Sequence, residues 1–170
     1  ALAEALAEFL QAKGQMDEPK PKAPDIEEKW EAIAQSYIPD GAREFNGYPT
    51  VSLGWMAFIG MAVAQFWDTD WDKYSSVEDL YVTLREVRGY DCMDEYICED
   101  VLKLSSAEAQ AVSNLVADTA SLALRLLQKE GFEPGTTDAF HAYLRTLHQL
   151  YVAGYSIWLK RLGYRMTPLG

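Results

Sequence analysis

An all-α fold is predicted for this chain: a single-domain bundle of six or seven helices around one buried, uncharged central helix. Three observations predict it. From Phe45 to Trp67 the sequence runs 23 residues without a charged side chain. On either side of that run, apolar residues recur at the three-to-four-residue spacing of amphipathic helices. No stretch alternates apolar and polar residues between turn signals, as a half-buried strand would. With 170 residues, the chain fits one domain and buries a core without needing disulfides or metal.

The elements follow in order. Residues 2–13 form a short amphipathic helix with Leu2, Leu6, Phe9 and Leu10 on one face, stopped by Gly14. Residues 15–24 hold Pro19, Pro21 and Pro24 among charges and read as a stiff linker, so residues 1–14 are expected to be a loosely tethered helix and residues 25–170 the bundle proper. Asp25 is placed to cap a helix running to about Tyr37 with Ile26, Trp30 and Ile33 inward, and Pro39-Asp40-Gly41 reads as a turn.

Asn46-Gly47 and Pro49 mark a second break, after which the uncharged segment is helical from about Thr50 to Trp67. Ser75 or Ser76 opens the next helix, with Leu80, Leu84 and Val87 inward and Gly89 at its end. Asp91 caps a short acidic helix reaching about Leu104. Ser105 and Glu108 fit a capping box for a long helix to Glu130, with Val112, Leu115, Thr119, Leu122 and Leu126 on one face and Gly131 as the stop. Thr136 or Thr137 caps the last helix, which ends near Gly163 and carries Phe140, Leu144, Leu147, Tyr151, Gly154 and Trp158 on its inner face.

The segment Tyr48 to Trp67 is long enough to cross a bilayer. Its Thr50, Ser52 and Gln65, its many small residues and the need of the amphipathic helices for an apolar partner favour a core helix instead, and a membrane span is not expected. Ala57, Gly60 and Ala64 form a stripe without bulk along it. A second helix backbone is expected to approach there, with Gly154 as its counterpart.

Composition excludes some functions. The formal net charge of −11, with no run of basic residues, repels a phosphate backbone, so nucleic-acid binding is not expected. An acidic surface suits a basic protein partner or a cation. Cys92 and Cys98 are six apart, point away from one another on a helix and are expected to be buried, reduced thiols, which fits a cytoplasmic setting. No nucleophile elbow, glycine-rich phosphate loop or HExxH zinc motif is present.

Two constellations remain. From Asp68, the oxygen-bearing residues Asp68, Asp70, Asp72, Ser76 and Asp79 fall at the alternating positions of a calcium-binding loop between two helices. The match is incomplete. Lys73 stands where a glycine makes the sharp turn, and Asp79 stands where a bidentate Glu belongs, so a capped acidic turn competes with a weak Ca2+ site. On the last helix, His141 and His148 lie seven apart with Arg145 between them, and with Tyr151 and Tyr155 they outline a candidate ligand pocket. Their spacing is not that of a helical metal-ligand pair; half-buried histidines with hydrogen-bond partners are expected. Asp91, Asp94, Glu95 and Glu99 read as a solvated acidic face.

The expected function is therefore non-catalytic: an acidic helical protein acting by protein–protein interaction, through a basic partner or through self-association of the N-terminal helix. A small-molecule-binding protein or enzyme with its pocket near the last helix is the second reading, and a weak divalent-cation module at residues 68–79 the third. No cofactor is expected beyond that Ca2+.

Overall fold

The computed structural model describes residues 2–17 and 23–164. Among these, the chain forms eight α-helices and no strand: α1 (Leu2–Ala12), α2 (Pro24–Glu28), α3 (Trp30–Gly47), α4 (Pro49–Tyr74), α5 (Leu80–Arg88), α6 (Met93–Tyr96, continued by a π-helical turn over Ile97–Val101), α7 (Ser106–Lys129) and α8 (Thr137–Arg161).

The uncharged segment is the core. Between Ser52 and Phe66 only Trp55 and Gln65 fall short of buried, so this part of α4 is covered all the way round, as a helical stretch without a polar face must be. It is also the one described helix long and apolar enough to cross a membrane, but 72% of its most apolar window is buried by the chain itself. Its main partner is α8. Ser52 meets Tyr143, Gly60 meets Tyr151 and Tyr155, and Gln65 meets Trp158, so the two helices run in the same direction.

They cross at the expected glycines. A Cβ added to Gly60 would collide with the Tyr151 carbonyl oxygen, and one added to Gly154 would collide with the Ala57 carbonyl oxygen. Both obstacles are backbone atoms, which cannot rotate away. Helix α7 returns between them in sequence and packs on α4, with Val116 and Ala120 opposite Gly54.

The caps of the long helices follow the sequence. The Ser105 hydroxyl accepts from Glu108 N at 3.2 Å while the Glu108 carboxylate accepts from Ser105 N at 3.1 Å, and Thr136 accepts from Ala139 N at 3.1 Å. Each satisfies N–H groups that the first helical turn leaves without partners. Gly89, Gly131 and Gly163 follow their helices with positive φ, between 70° and 91°.

Several expectations are corrected. Pro39-Asp40-Gly41 is not a turn but the middle of α3. Pro39 and Gln35 both lie on the exposed side, so the carbonyl that proline leaves without a donor is on the solvent side of the helix. Asp40 faces α5, accepting from Tyr81 Oη at 2.6 Å and from Arg85 at 3.1 Å. Gly41 makes room for aromatic rings, since a Cβ there would run into Tyr37 and the Tyr143 hydroxyl. All three residues serve tertiary contacts that a turn signature does not reveal.

The helix expected from Asp25 to Tyr37 divides at Lys29, and Asp25 is not its cap; Pro24 opens α2 and Asp25 instead accepts from Trp67 Nε1 at 3.2 Å. Helix α5 starts at Leu80 rather than at Ser75, and Asp79 caps it by accepting from Tyr81 N and Val82 N. The short helix after Gly89 begins at Met93 with Cys92 as N-cap, not Asp91. Val87 and Phe140, expected inward, are exposed, and Leu122, Leu126 and Leu144 are only half-buried. Cys92 is exposed, while Cys98 is buried, with its thiol pushed up to about 11 by burial and by Asp94 and Glu99.

The linker prolines Pro19 and Pro21 lie outside the described residues. On the near side of the linker, α1 rests on α7 and α8, burying Leu6, Ala7 and Leu10, with Met16 buried just beyond. Ion pairs flank this contact: Lys13 with Asp118 at 3.7 Å and Asp17 with Lys160 at 3.0 Å. Because Leu10 is completely buried, Leu10→Ala is expected to lower stability by about 2–3 kcal/mol. Chemical denaturation of the full chain checks this. An unchanged midpoint would mean that α1 contributes nothing to the core.

Candidate functional site

The corner where α2 meets α3 presents two faces. Helix α2 is only five residues long, and Lys29 ends it and starts α3. Such a short helix is held by its neighbours rather than by its own hydrogen bonds. The inner face carries Ile26 and Glu27 against α8; the outer face carries Glu28 and Glu31 toward the end of α4.

On the inner face, Ile26 is buried and its carbonyl accepts from Tyr151 Oη at 2.6 Å. The Glu27 carboxylate is shared, with Oε2 2.8 Å from His148 Nε2 and Oε1 accepting from Tyr155 Oη at 2.6 Å. Trp30 stacks on the His148 ring, with centroids 4.7 Å apart and planes 14° from parallel. Burial raises the Glu27 carboxyl, but the hydrogen bonds from His148 and Tyr155 outweigh it and the net shift is downward. Burial pushes the hydroxyls of Tyr151 and Tyr155 well above the usual phenol range, and the Glu27 charge adds to it, so both stay protonated as donors.

Of the five residues proposed for a ligand pocket, the structure therefore brings together His148, Tyr151 and Tyr155. It does so around Glu27 and Trp30, more than a hundred positions away in sequence, which pattern reading of α8 did not find. His141 and Arg145 do not join them; both are exposed. The cluster is a packed junction that ties α2 to α8 through the bonds of Glu27 to His148 and Tyr155 and of Tyr151 to the Ile26 carbonyl.

A folded-state carboxyl below its unfolded value stabilises fully above the unfolded pKa and loses that contribution as pH falls through the folded one. Glu27→Gln is thus expected to cost about 1 kcal/mol at neutral pH, the worth of a charge-assisted bond at a half-exposed site. The difference from the parent chain should close as pH drops below the Glu range. Urea titrations of both proteins at neutral and acid pH check this, and a difference independent of pH would contradict it.

The residues considered for Ca2+ are dispersed. The chain stays helical to Tyr74, with a break in helical geometry only at Asp70 (φ −160°, ψ 62°), so no loop wraps around a centre. Asp68 accepts from Tyr164 Oη at 2.5 Å, Ser76 donates to the Lys73 carbonyl at 2.8 Å, Asp79 caps α5, and Asp70 and Asp72 are exposed. Among the described residues no three His, Cys, Asp or Glu side chains converge as a metal site.

The outer face of the corner forms an open groove of about 450 Å3 with the end of α4, lined by Glu28, Lys29, Glu31, Ala32, Gln35, Trp71, Ser75 and Glu78. None of the five proposed pocket residues lines it. Lys29 spans it: its ammonium donates to the carbonyls of Ser75 at 2.6 Å and Val77 at 2.9 Å. There it satisfies carbonyls where α4 ends, at the negative end of the helix dipole, and lies 5.8 Å from the Trp71 ring centre. The three glutamates have no such employment. Glu28, Glu31 and Glu78 are exposed and make no side-chain hydrogen bond or ion pair among the described residues. The groove thus offers three carboxylates without an ion pair among the described residues, with the Lys29 ammonium held on carbonyls beside the Trp71 ring. Comparison with protein-family models, curated proteins and solved structures finds no match to this chain.

Proposed function

We propose that this chain is a non-catalytic, acidic helical protein that works by protein–protein interaction, docking a basic segment of its partner in the groove between the α2–α3 corner and the end of α4. One observation carries the reading: Glu28, Glu31 and Glu78 line this open groove and form no ion pair among the described residues, so three carboxylates outnumber the single Lys29 ammonium, which is bound to the Ser75 and Val77 carbonyls. A Lys or Arg side chain would find a carboxylate on either side, and the half-buried Trp71 ring would hold its charge or its methylene stem. The net charge of −11 would steer such a partner toward the protein. A cytoplasmic setting is part of the proposal, supported by the free thiols of Cys92 and Cys98.

Self-association through α1 has less support, because its apolar residues Leu6, Ala7 and Leu10 already lie against its own chain; pairing would require two copies to exchange that helix. The reading of a small-molecule pocket at α8 has His148 and Tyr155 in its favour, but His148 Nε2 and the Tyr155 hydroxyl are taken by Glu27.

Calorimetric titration with an oligolysine peptide tests the proposal. Binding is expected at low ionic strength, weakening as salt rises. Glu28→Lys, Glu31→Lys and Glu78→Lys together should weaken it by about tenfold or more, ~1.4 kcal/mol. The control reverses Glu130, Glu133 and Asp138, three exposed acids at the α7–α8 connection. Helices α4 and α8 run parallel, so that connection lies near the start of α4, while the groove lies some twenty residues further along, roughly 30 Å away at the helical rise. Equal weakening by both triple variants would show attraction to net charge alone and would refute the groove.

A further inference from the structure

We draw no further inference here: the strongest candidate, the carboxylate-lined groove beside Trp71 at the end of α4, belongs to the site already described, and it has no buried, unpartnered polar side chain directed into it that would specify a ligand beyond a basic segment.

Discussion

Gly154→Leu is expected to abolish the native bundle, or to lower its stability by roughly 3 kcal/mol or more, at the upper end of what overpacking a core costs. Overpacking is usually limited because side chains rotate or shift. At Gly154 the first atom in the way is the carbonyl oxygen of Ala57, with the carbonyl carbon of Ala57 next at 2.8 Å from an added Cβ. Gly60 faces the backbone of Tyr151 and Tyr155 in the same manner. The only relief is to separate α4 from α8, and that opens the most extensive helix–helix contact among the described residues.

Against a typical total stability of about 5–15 kcal/mol, such a loss is severe. Gly154→Ala should already destabilise, since the collision begins at Cβ. Gly47→Ala serves as the control: nothing lies within 4 Å of a Cβ there, and removing a flexible glycine from the end of a helix should be neutral or slightly favourable. Circular dichroism melts of the three variants decide it. A Gly154→Leu chain melting with the parent would mean that the helices do not approach as described.

Tyr37→Ala is expected to cost about 3–5 kcal/mol, the range for truncating a large buried aromatic. Tyr37 is completely buried between α3, α4 and α5. Its ring meets the Tyr81 ring edge-on, with centroids 5.1 Å apart, and its hydroxyl donates to the Ser52 carbonyl at 2.5 Å. Ser52 is buried too; its hydroxyl donates to the Gly41 carbonyl at 2.8 Å and lies 2.6 Å from the Tyr143 hydroxyl. Burial holds the Tyr37 phenol well above its ordinary range, with the neighbouring tyrosines adding to it, so the donor persists at any ordinary pH.

The conservative change separates packing from polarity. Tyr37→Phe keeps the ring and removes the hydroxyl's bonds to the Ser52 carbonyl and, at 3.2 Å, to the Tyr90 hydroxyl, and should cost about 1–3 kcal/mol through the partners left unpaired. Equal losses for the Phe and Ala variants would show that the hydroxyl network, rather than the ring, holds α3 against α4.

How legible these features were depends on how far apart in sequence their parts lie. The capping box at Ser105 and Glu108, the cap at Thr136 and the all-round burial of α4 are written within one turn or one segment, and each appears in the structure where its pattern stands. The crossing at Gly60 and Gly154 was readable because a helix stripe without side chains has few uses other than close approach.

By contrast, Pro39-Asp40-Gly41 carries every local mark of a turn. It stays helical because Asp40 is held by Tyr81 and Arg85, over forty positions away, and because Gly41 must admit the Tyr37 and Tyr143 rings. Tertiary contact overrides local propensity there. Asp68, Asp70 and Asp72 show the reverse fault. An alternation that suits a wrapped loop is also compatible with a continuing helix, and nothing in the residues themselves chose between them.

The candidate sites follow the same rule. His148, Tyr151 and Tyr155 were identifiable as neighbours on one helix, but Glu27 joins them from 121 positions away in sequence, and one helix cannot announce its partner. The groove was not visible at all. Nothing in the sequence sets Glu28 and Glu31 apart; the division of the chain at Lys29 and the extension of α4 through Trp71 bring them to one groove with Glu78. No periodicity encodes that meeting of two helix ends.

The most direct test of the groove as a docking surface is to locate where a basic segment binds. Two-dimensional 15N NMR spectra of the full chain should be recorded while an oligolysine peptide is added at low ionic strength. Shifts concentrated on the backbone amides of Glu28 to Gln35 and of Ser75 to Glu78, together with the Trp71 indole N–H, and absent from the α7–α8 connection, are the predicted result. Shifts spread evenly over the acidic surface, or centred on the acidic residues of α6 and its π turn, would contradict it.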